Sequence, residues 1–178
     1  MEQRAAALEV RAAGRRLTGL AAVFGVEARI ADPSRGAIRE RIAPGAFTAS
    51  LAGDVLALRD HDARRVLGRT KSGTLRLRED ARGLAFELDL PDTSEGRDVL
   101  VMAERGDLGG MSFGFSVRPG GEVWTGDLRE LRAVDLAEVS VISGWPAYRQ
   151  TTVEARGGVY EPRQRLSIAR RYLDTLGG

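Results

Sequence analysis

The sequence predicts a mainly β protein in which about eight strands form a barrel or a sandwich with helices around it. Short stretches of alternating apolar and polar side chains recur along the chain, and residues 84–90 alternate without interruption. Clusters of Gly, Pro, Asp and Ser separate these stretches, as expected for turns. The chain lacks the regular succession of strand and long helix that builds a parallel sheet. We therefore expect an antiparallel arrangement.

The predicted strands follow one another as an antiparallel meander, with an edge strand near the N-terminus. Ser72-Gly73 is the predicted hairpin turn between two of them. Residues 27–36, with an Asp-Pro-Ser run, have the composition of a loop. The predicted strands are residues 7–11, 17–24, 37–42, 55–59, 66–71, 74–79, 84–90 and 110–117, followed by residues 128–134 and 136–142, which form two strands or one long bent strand.

Helices are predicted in three places. Pro44 suits the start of a short helix over residues 45–52. A capping-box pattern at residues 92–95 precedes a helix that ends at Gly106, because glycine readily adopts the left-handed conformation after a last helical turn. A basic helix is predicted to begin at Pro162, close to the C-terminus.

Composition restricts the classes of function. The chain of 178 residues has no cysteine and one histidine, so disulfides, thiolate metal sites and multi-histidine zinc sites are excluded, and we expect no cofactor. No apolar run approaches the roughly 20 residues of a membrane helix, and the charged N-terminus does not resemble a signal peptide. We expect a cytoplasmic protein that does not contact membranes.

Charge is divided unevenly along the chain. We expect a folded domain over residues 1–155 and a basic tail over residues 156–178, which has five arginines against two acidic residues, although the net charge of the whole chain is only +2. The domain has no evident basic face, so nucleic-acid binding is not expected. The tail is predicted to pack on the domain or on a second copy in a dimer, or to be a docking or self-cleaved segment.

The predicted strand over residues 110–117 has two very different faces. Alternation places Met111, Phe113 and Phe115 on one face and Ser112, between two glycines, on the other. Because glycines weaken a strand, we expect them to allow another backbone to approach Ser112 closely. Ser112 is therefore a candidate nucleophile beside a bound peptide.

Serine catalysis requires a base, and His61 is the only imidazole of the chain. Glu138 is the best candidate for the orienting acid, because a carboxylate among the apolar side chains of a strand needs a partner to stay ionised. Asp135 is the alternative. The glycines around Ser112 match the α/β-hydrolase elbow, but His61 precedes the serine and strand follows it, which excludes that fold.

The residues alone also fit a structural interpretation, and they favour it. A single histidine beside aspartates is typical of a loop, and a serine between glycines often serves packing. A half-buried glutamate usually pairs with an arginine, of which this chain has many. A non-enzymatic scaffold or adaptor therefore stays open beside a serine peptidase.

Five fragments in a fixed order resemble the prohead proteases of tailed bacteriophages. These are capsid-maturation serine peptidases related in fold to the herpesvirus assemblins. The similarity covers most of residues 17–153. The fragments are residues 19–24, 42–47, 58–62, 108–115, and 135–141 with 146–148.

The resemblance implies an antiparallel barrel ringed by helices, with His61 as base, Ser112 as nucleophile and Glu138 as orienting acid, where assemblins use a second histidine. It implies as substrate the scaffolding segment of the major capsid protein, cleaved inside the procapsid in the host cytoplasm. Arg149 is a candidate oxyanion donor. Similar enzymes occur in phage-derived gene transfer agents, and this short, arginine-rich chain fits such a version.

Overall fold

A computed structural model of the chain describes residues 1–6 and 10–143. The described part is mostly strand, with one α-helix and one short 3₁₀ helix, which confirms the mainly β prediction. In chain order the elements are β1 (Glu2–Ala6), β2 (Val10–Ala13), β3 (Arg16–Val23), β4 (Ala28–Asp32), β5 (Gly36–Ile42), the 3₁₀ helix (Thr48–Ser50), β6 (Leu56–Arg59), β7 (Asp62–Arg69), β8 (Leu75–Glu79), β9 (Gly83–Asp89), α1 (Ser94–Arg105), β10 (Gly110–Val117), β11 (Glu122–Thr125), β12 (Leu128–Leu131) and β13 (Val134–Ile142).

The strands form three sheets. One has the order β1-β10-β13-β6-β7, the second β11-β12-β5-β4 and the third β2-β3-β9-β8. Most pairs are antiparallel, but β13 runs parallel to β6 and β12 runs parallel to β5. The sheets do not close on themselves, so the predicted antiparallel barrel with flanking helices is not confirmed. Parallel pairs need long crossover connections, which a simple meander does not contain.

Three local predictions are wrong. β7 pairs with β6 and β8 pairs with β9, so the turn at Ser72-Gly73 carries the chain between sheets instead of closing a hairpin. The predicted loop over residues 27–36 contains β4, which pairs with β5. The predicted helix over residues 45–52 is reduced to one 3₁₀ turn. Alternation and turn residues predict faces and bends, but they do not determine which strands pair.

The helix predicted after residues 92–95 is confirmed as α1. The Thr93 hydroxyl caps its first turn, and Gly106 ends it with a φ of 71°. Glu95 accepts hydrogen bonds from Arg65 and Arg59, at 3.0 and 2.8 Å. These bonds hold the pKa of Glu95 below its ordinary value, and the bonds from Arg65 have the larger effect. Helix α1 is thereby tied to the β6–β7 hairpin.

The core covers the apolar face of β10. Phe47 is fully buried, and its ring lies edge-on to that of Phe113, with 5.5 Å between the centroids. Phe115 and Met111 are buried on the same face, as the alternation predicts. The apolar side chains therefore fix the strand from one side and leave its other face for polar groups.

Some predictions fall outside the described residues. These are the basic tail over residues 156–178 with its helix from Pro162, the oxyanion candidate Arg149, and part of the N-terminal edge strand. Within residues 1–6 and 10–143, the structure contains no helix that is long and apolar enough to span a membrane.

Candidate active site

Ser112 lies in the middle of β10 and is completely buried, with 0% of its surface exposed. It pairs with Ser140 of β13 on one side and with Ala5 of β1 on the other. Its hydroxyl donates a hydrogen bond of 2.8 Å to the backbone carbonyl of Arg4. A second backbone therefore does lie against Ser112, and in this structure it belongs to the chain's own first strand.

Gly114 follows on the same face of β10, opposite Glu138 of β13. A Cβ atom at this position would lie 2.4 Å from Glu138 Oε1, well inside contact distance. The glycine is therefore required for a reason that the sequence does not reveal: it leaves room for a carboxylate from the neighbouring strand.

His61 lies in the two-residue turn of the β6–β7 hairpin, between the paired residues Arg59 and Asp62. Asp60 and His61 both have positive φ angles, 52° and 60°, as in a type I′ turn. They are the only described non-glycine residues with positive φ. Such strain persists where surrounding contacts fix the backbone.

The end of β13 supplies those contacts. The amide of Asp60 donates to the carbonyl of Val141 at 3.0 Å, and the Asp60 carboxylate accepts from the amide of Ser143 at 2.7 Å. The turn is thus attached to the strand that carries Glu138. This attachment holds the imidazole of His61 over β13.

His61 and Glu138 are in direct contact, with 2.7 Å between Nδ1 and Oε1. The other carboxylate oxygen, Oε2, accepts a hydrogen bond of 2.6 Å from the Ser140 hydroxyl. Because an ionised carboxylate only accepts hydrogen bonds, Nδ1 of the neutral imidazole is the nitrogen that carries the proton. Nε2 is then left as a proton acceptor, which is the state that a general base needs.

The three predicted site residues therefore lie at one place, but they are not all bonded to one another. Ser112 is a diagonal neighbour of Glu138 on the same face of the sheet. Among the described residues its hydroxyl bonds Arg4 and makes no hydrogen bond with His61. Asp135, the alternative acid, is half exposed and is paired with Arg118 at 2.6 Å, away from the imidazole.

A cluster of charged side chains fixes β1 from the opposite face of the sheet. Arg4 donates to both oxygens of Glu40, at 2.5 and 2.8 Å. Arg129 donates to Glu2, Glu40 and Glu122 at 2.6–3.0 Å. Glu40 and Arg129 are only 4% and 7% exposed, so these are charge-assisted bonds in a dry environment.

The pKa values of this cluster follow from the same bonds. Hydrogen bonds from Arg129 hold the pKa of Glu2 below its ordinary value of 4.5. Burial alone would lower the pKa of Arg4, but the hydrogen bonds and charges of Glu40 and Glu2 together outweigh burial and raise that pKa. Glu2 and Arg4 therefore stay charged at neutral pH.

Two parts of this site were missed in the sequence. Ser140 lies two positions after Glu138 and so shares its face, a spacing that strand alternation makes visible. Strand β1 is not among the predicted strands, although Glu40 is a signal for a charged partner, since a charged residue interrupts the apolar face of its strand. Within the described residues, no group of three or more His, Asp or Glu side chains is arranged to hold a metal ion.

Comparison with known proteins gives one match. The family model described as caudovirus prohead serine protease matches residues 3–164 of the chain, which include every element described above except Glu2, the first residue of β1. No curated protein and no solved structure matches at the same level of significance.

We predict that Gly114→Ala breaks the contact between His61 and Glu138. The added methyl group would overlap Glu138 Oε1 and push the carboxylate aside, at a stability cost of about 1–3 kcal/mol. Because the chain has one histidine, its Nδ1 proton gives a single NMR signal, which should be lost or strongly shifted in the variant. Ser116→Ala, an exposed position on the same face, is the control; an unshifted signal in Gly114→Ala would contradict the prediction.

A second prediction concerns pH. The folded-state pKa of Glu2 is lowered, so ionised Glu2 stabilises β1 above about pH 4.5 and this contribution is lost as the pH falls through the lowered value. Hydrogen-exchange protection factors of the β1 amides should therefore fall below pH 4.5. Glu2→Gln should have lower protection at neutral pH and a weaker pH dependence, whereas the exposed Glu104→Gln should behave like the parent. An identical pH dependence in Glu2→Gln would refute this.

Proposed function

Because the chain belongs to the caudovirus prohead serine protease family, we propose that it is a serine endopeptidase that cleaves the scaffolding segment of the major capsid protein inside the procapsid. The family is one of serine peptidases that act in capsid maturation. The observation that carries the proposal for this chain is the 2.7 Å contact between Glu138 and His61, beside Ser112 on the neighbouring strand.

In the proposed mechanism Ser112 is the nucleophile and His61 the base. Its Nε2 takes the hydroxyl proton as Oγ bonds the carbonyl carbon of the scissile peptide, and it then gives this proton to the departing amine. Water then attacks the resulting ester while His61 takes a proton from it, and His61 returns this proton to Ser112 Oγ as the acid product leaves. Glu138 holds the imidazole by Nδ1 and stabilises the positive charge that forms on it.

Ser140 acts in this scheme as a positioning residue. Its hydroxyl occupies the carboxylate oxygen that does not face His61, at 2.6 Å. A buried carboxylate with both oxygens hydrogen-bonded keeps its orientation. Ser140 thereby helps Glu138 to present one fixed oxygen to the imidazole.

One observation favours a second function. The Ser112 hydroxyl is fully buried and bonds a backbone carbonyl instead of a base. A chain with this arrangement would also serve as a non-catalytic capsid-assembly scaffold or adaptor. Both functions place it at the assembling procapsid, so activity decides between them.

The finer parts of the proposal concern partners and processing. The enzyme would act on the major capsid protein in the host cytoplasm, and it would remove its own basic segment over residues 156–178. We further propose that the chain self-associates as a dimer and that it belongs to a gene transfer agent. Intact-mass analysis of the purified chain before and after incubation tests the self-removal.

We predict that Ser112→Ala abolishes processing of the cognate capsid protein on co-expression, as read by mass spectrometry. The change removes only one hydroxyl, so the variant should fold. Ser116→Ala, an exposed serine on the same strand and face, should process normally. Normal processing by Ser112→Ala would assign the chain to the scaffold function.

For Glu138→Gln we expect the rate of processing to fall by about 10²–10⁴-fold, because a neutral amide stabilises the imidazolium less than a carboxylate does. Asp135→Asn, which removes only an exposed ion pair, should leave the rate nearly unchanged. The reverse ranking of these two variants would move the orienting role to Asp135.

A further inference from the structure

β1 occupies the edge of β10. In its sheet β10 has two neighbours, β13 on the side of Glu138 and β1 on the other. Without β1, the backbone N–H and C=O groups of β10 would form an open edge directly beside Ser112. An extended peptide binds to such an edge by adding a strand. The first strand of the chain therefore lies where a substrate strand would reach the proposed nucleophile.

The contact between β1 and Ser112 blocks the hydroxyl group. The hydroxyl donates its proton to the carbonyl oxygen of Arg4, so this proton is not shared with His61. Ala5, directly opposite Ser112, contributes only a methyl group to that face. The backbone of β1 lies beside Ser112, which has no exposed surface in this structure.

β1 is held mainly by polar contacts. Its described side chains are Glu2, Gln3, Arg4 and Ala5, and none of them belongs to the hydrophobic core. Detaching β1 would therefore take none of its own described side chains out of the core, but it would remove the Arg4 guanidinium from the Phe115 ring, whose centroid lies 5.4 Å from it. The strength of attachment comes from the ladder with β10, from Arg4 on Glu40 and from Glu2 on Arg129. The ladder and the Arg4 contact can be replaced by an incoming strand with an arginine at the same register.

We propose that β1 is an intramolecular pseudosubstrate strand that covers Ser112 until an extended peptide with an arginine opposite Phe113 displaces it. This inference rests on the proposed peptidase function, because covering Ser112 has a consequence only if Ser112 is the nucleophile. Glu40 is the specificity-determining residue, because it accepts the guanidinium with both carboxylate oxygens and is itself buried. A lysine at that register would lose the two-bond geometry.

The test uses a thiol in place of the hydroxyl, since the chain contains no cysteine. In the full-length Ser112→Cys variant, alkylation by iodoacetamide is followed by intact mass. Adding Arg4→Ala should raise the alkylation rate by about tenfold or more, because the rate follows the open population of β1. The control is Arg41→Ala, which removes an arginine that pairs with Glu130 on the adjacent strand, away from β1, and should change nothing.

A second experiment, with added peptides, tests whether an arginine is needed opposite Phe113. The synthetic peptide Met-Glu-Gln-Arg-Ala-Ala should slow alkylation of the Ser112→Cys, Arg4→Ala variant, whereas the same peptide with alanine in place of arginine should not. Equal rates with and without Arg4→Ala, or equal effects of the two peptides, would overturn the proposal.

Folding is checked by circular dichroism, with Arg4→Lys as a milder variant that keeps the charge. If both Arg4 variants unfold, β1 is an essential part of the fold and the proposal is overturned. Alkylation requires no catalysis, so it reports on β1 even if Ser112→Ala leaves capsid processing intact. Failure of the strand mechanism and failure of the peptidase assignment therefore give different results.

Discussion

The contact between Glu138 and His61 is the constraint on which the site depends. A carboxylate that is almost completely buried must find partners, and here the imidazole and the Ser140 hydroxyl provide them. The absence of a side chain at Gly114 makes the space, and the strained turn at Asp60-His61 brings the imidazole within reach. Each of these local features would be unfavourable by itself, and each is explained by this one hydrogen bond.

Strand β10 has to satisfy two opposite requirements. Its aromatic face packs against Phe47 and belongs to the core, while its other face consists of glycine and serine. A strand whose position is fixed by a well-packed core can carry a weakly packed face without losing its register. The core thus holds Ser112 in place, although the serine itself contributes little to stability.

The charged cluster around Arg129 shows why polar residues can be suited to the attachment of β1. A buried ion pair adds little net stability compared with apolar packing, but it is highly selective for geometry. The two hydrogen bonds between Arg4 and Glu40 hold the strand in one register, and in the proposed mechanism a strand of the same chemistry replaces them. Attachment of this kind suits a segment that covers a reactive group and has to leave it.

The faces of β10, the ends of helix α1 and the candidate base could all be predicted without the fold. The alternation of side chains predicts the two faces of β10. Thr93 and Gly106 indicate where helix α1 begins and ends. Because the chain has a single histidine, His61 is the only candidate base. The ordered fragments pointed to the family that the match over residues 3–164 shows. These properties depend on neighbouring residues, so they can be recognised without knowing the fold.

Only the tertiary structure decided which distant segments meet. It placed Glu138 rather than Asp135 against His61, although the two acids lie three positions apart on one strand. It paired β7 with β6 and laid β1 on β10, and it gave parallel pairs and open sheets where a closed antiparallel barrel was expected. Alternation tells which way a side chain points, but a strand edge offers the same backbone groups to every partner. The choice of partner therefore depends on the packing of the whole chain.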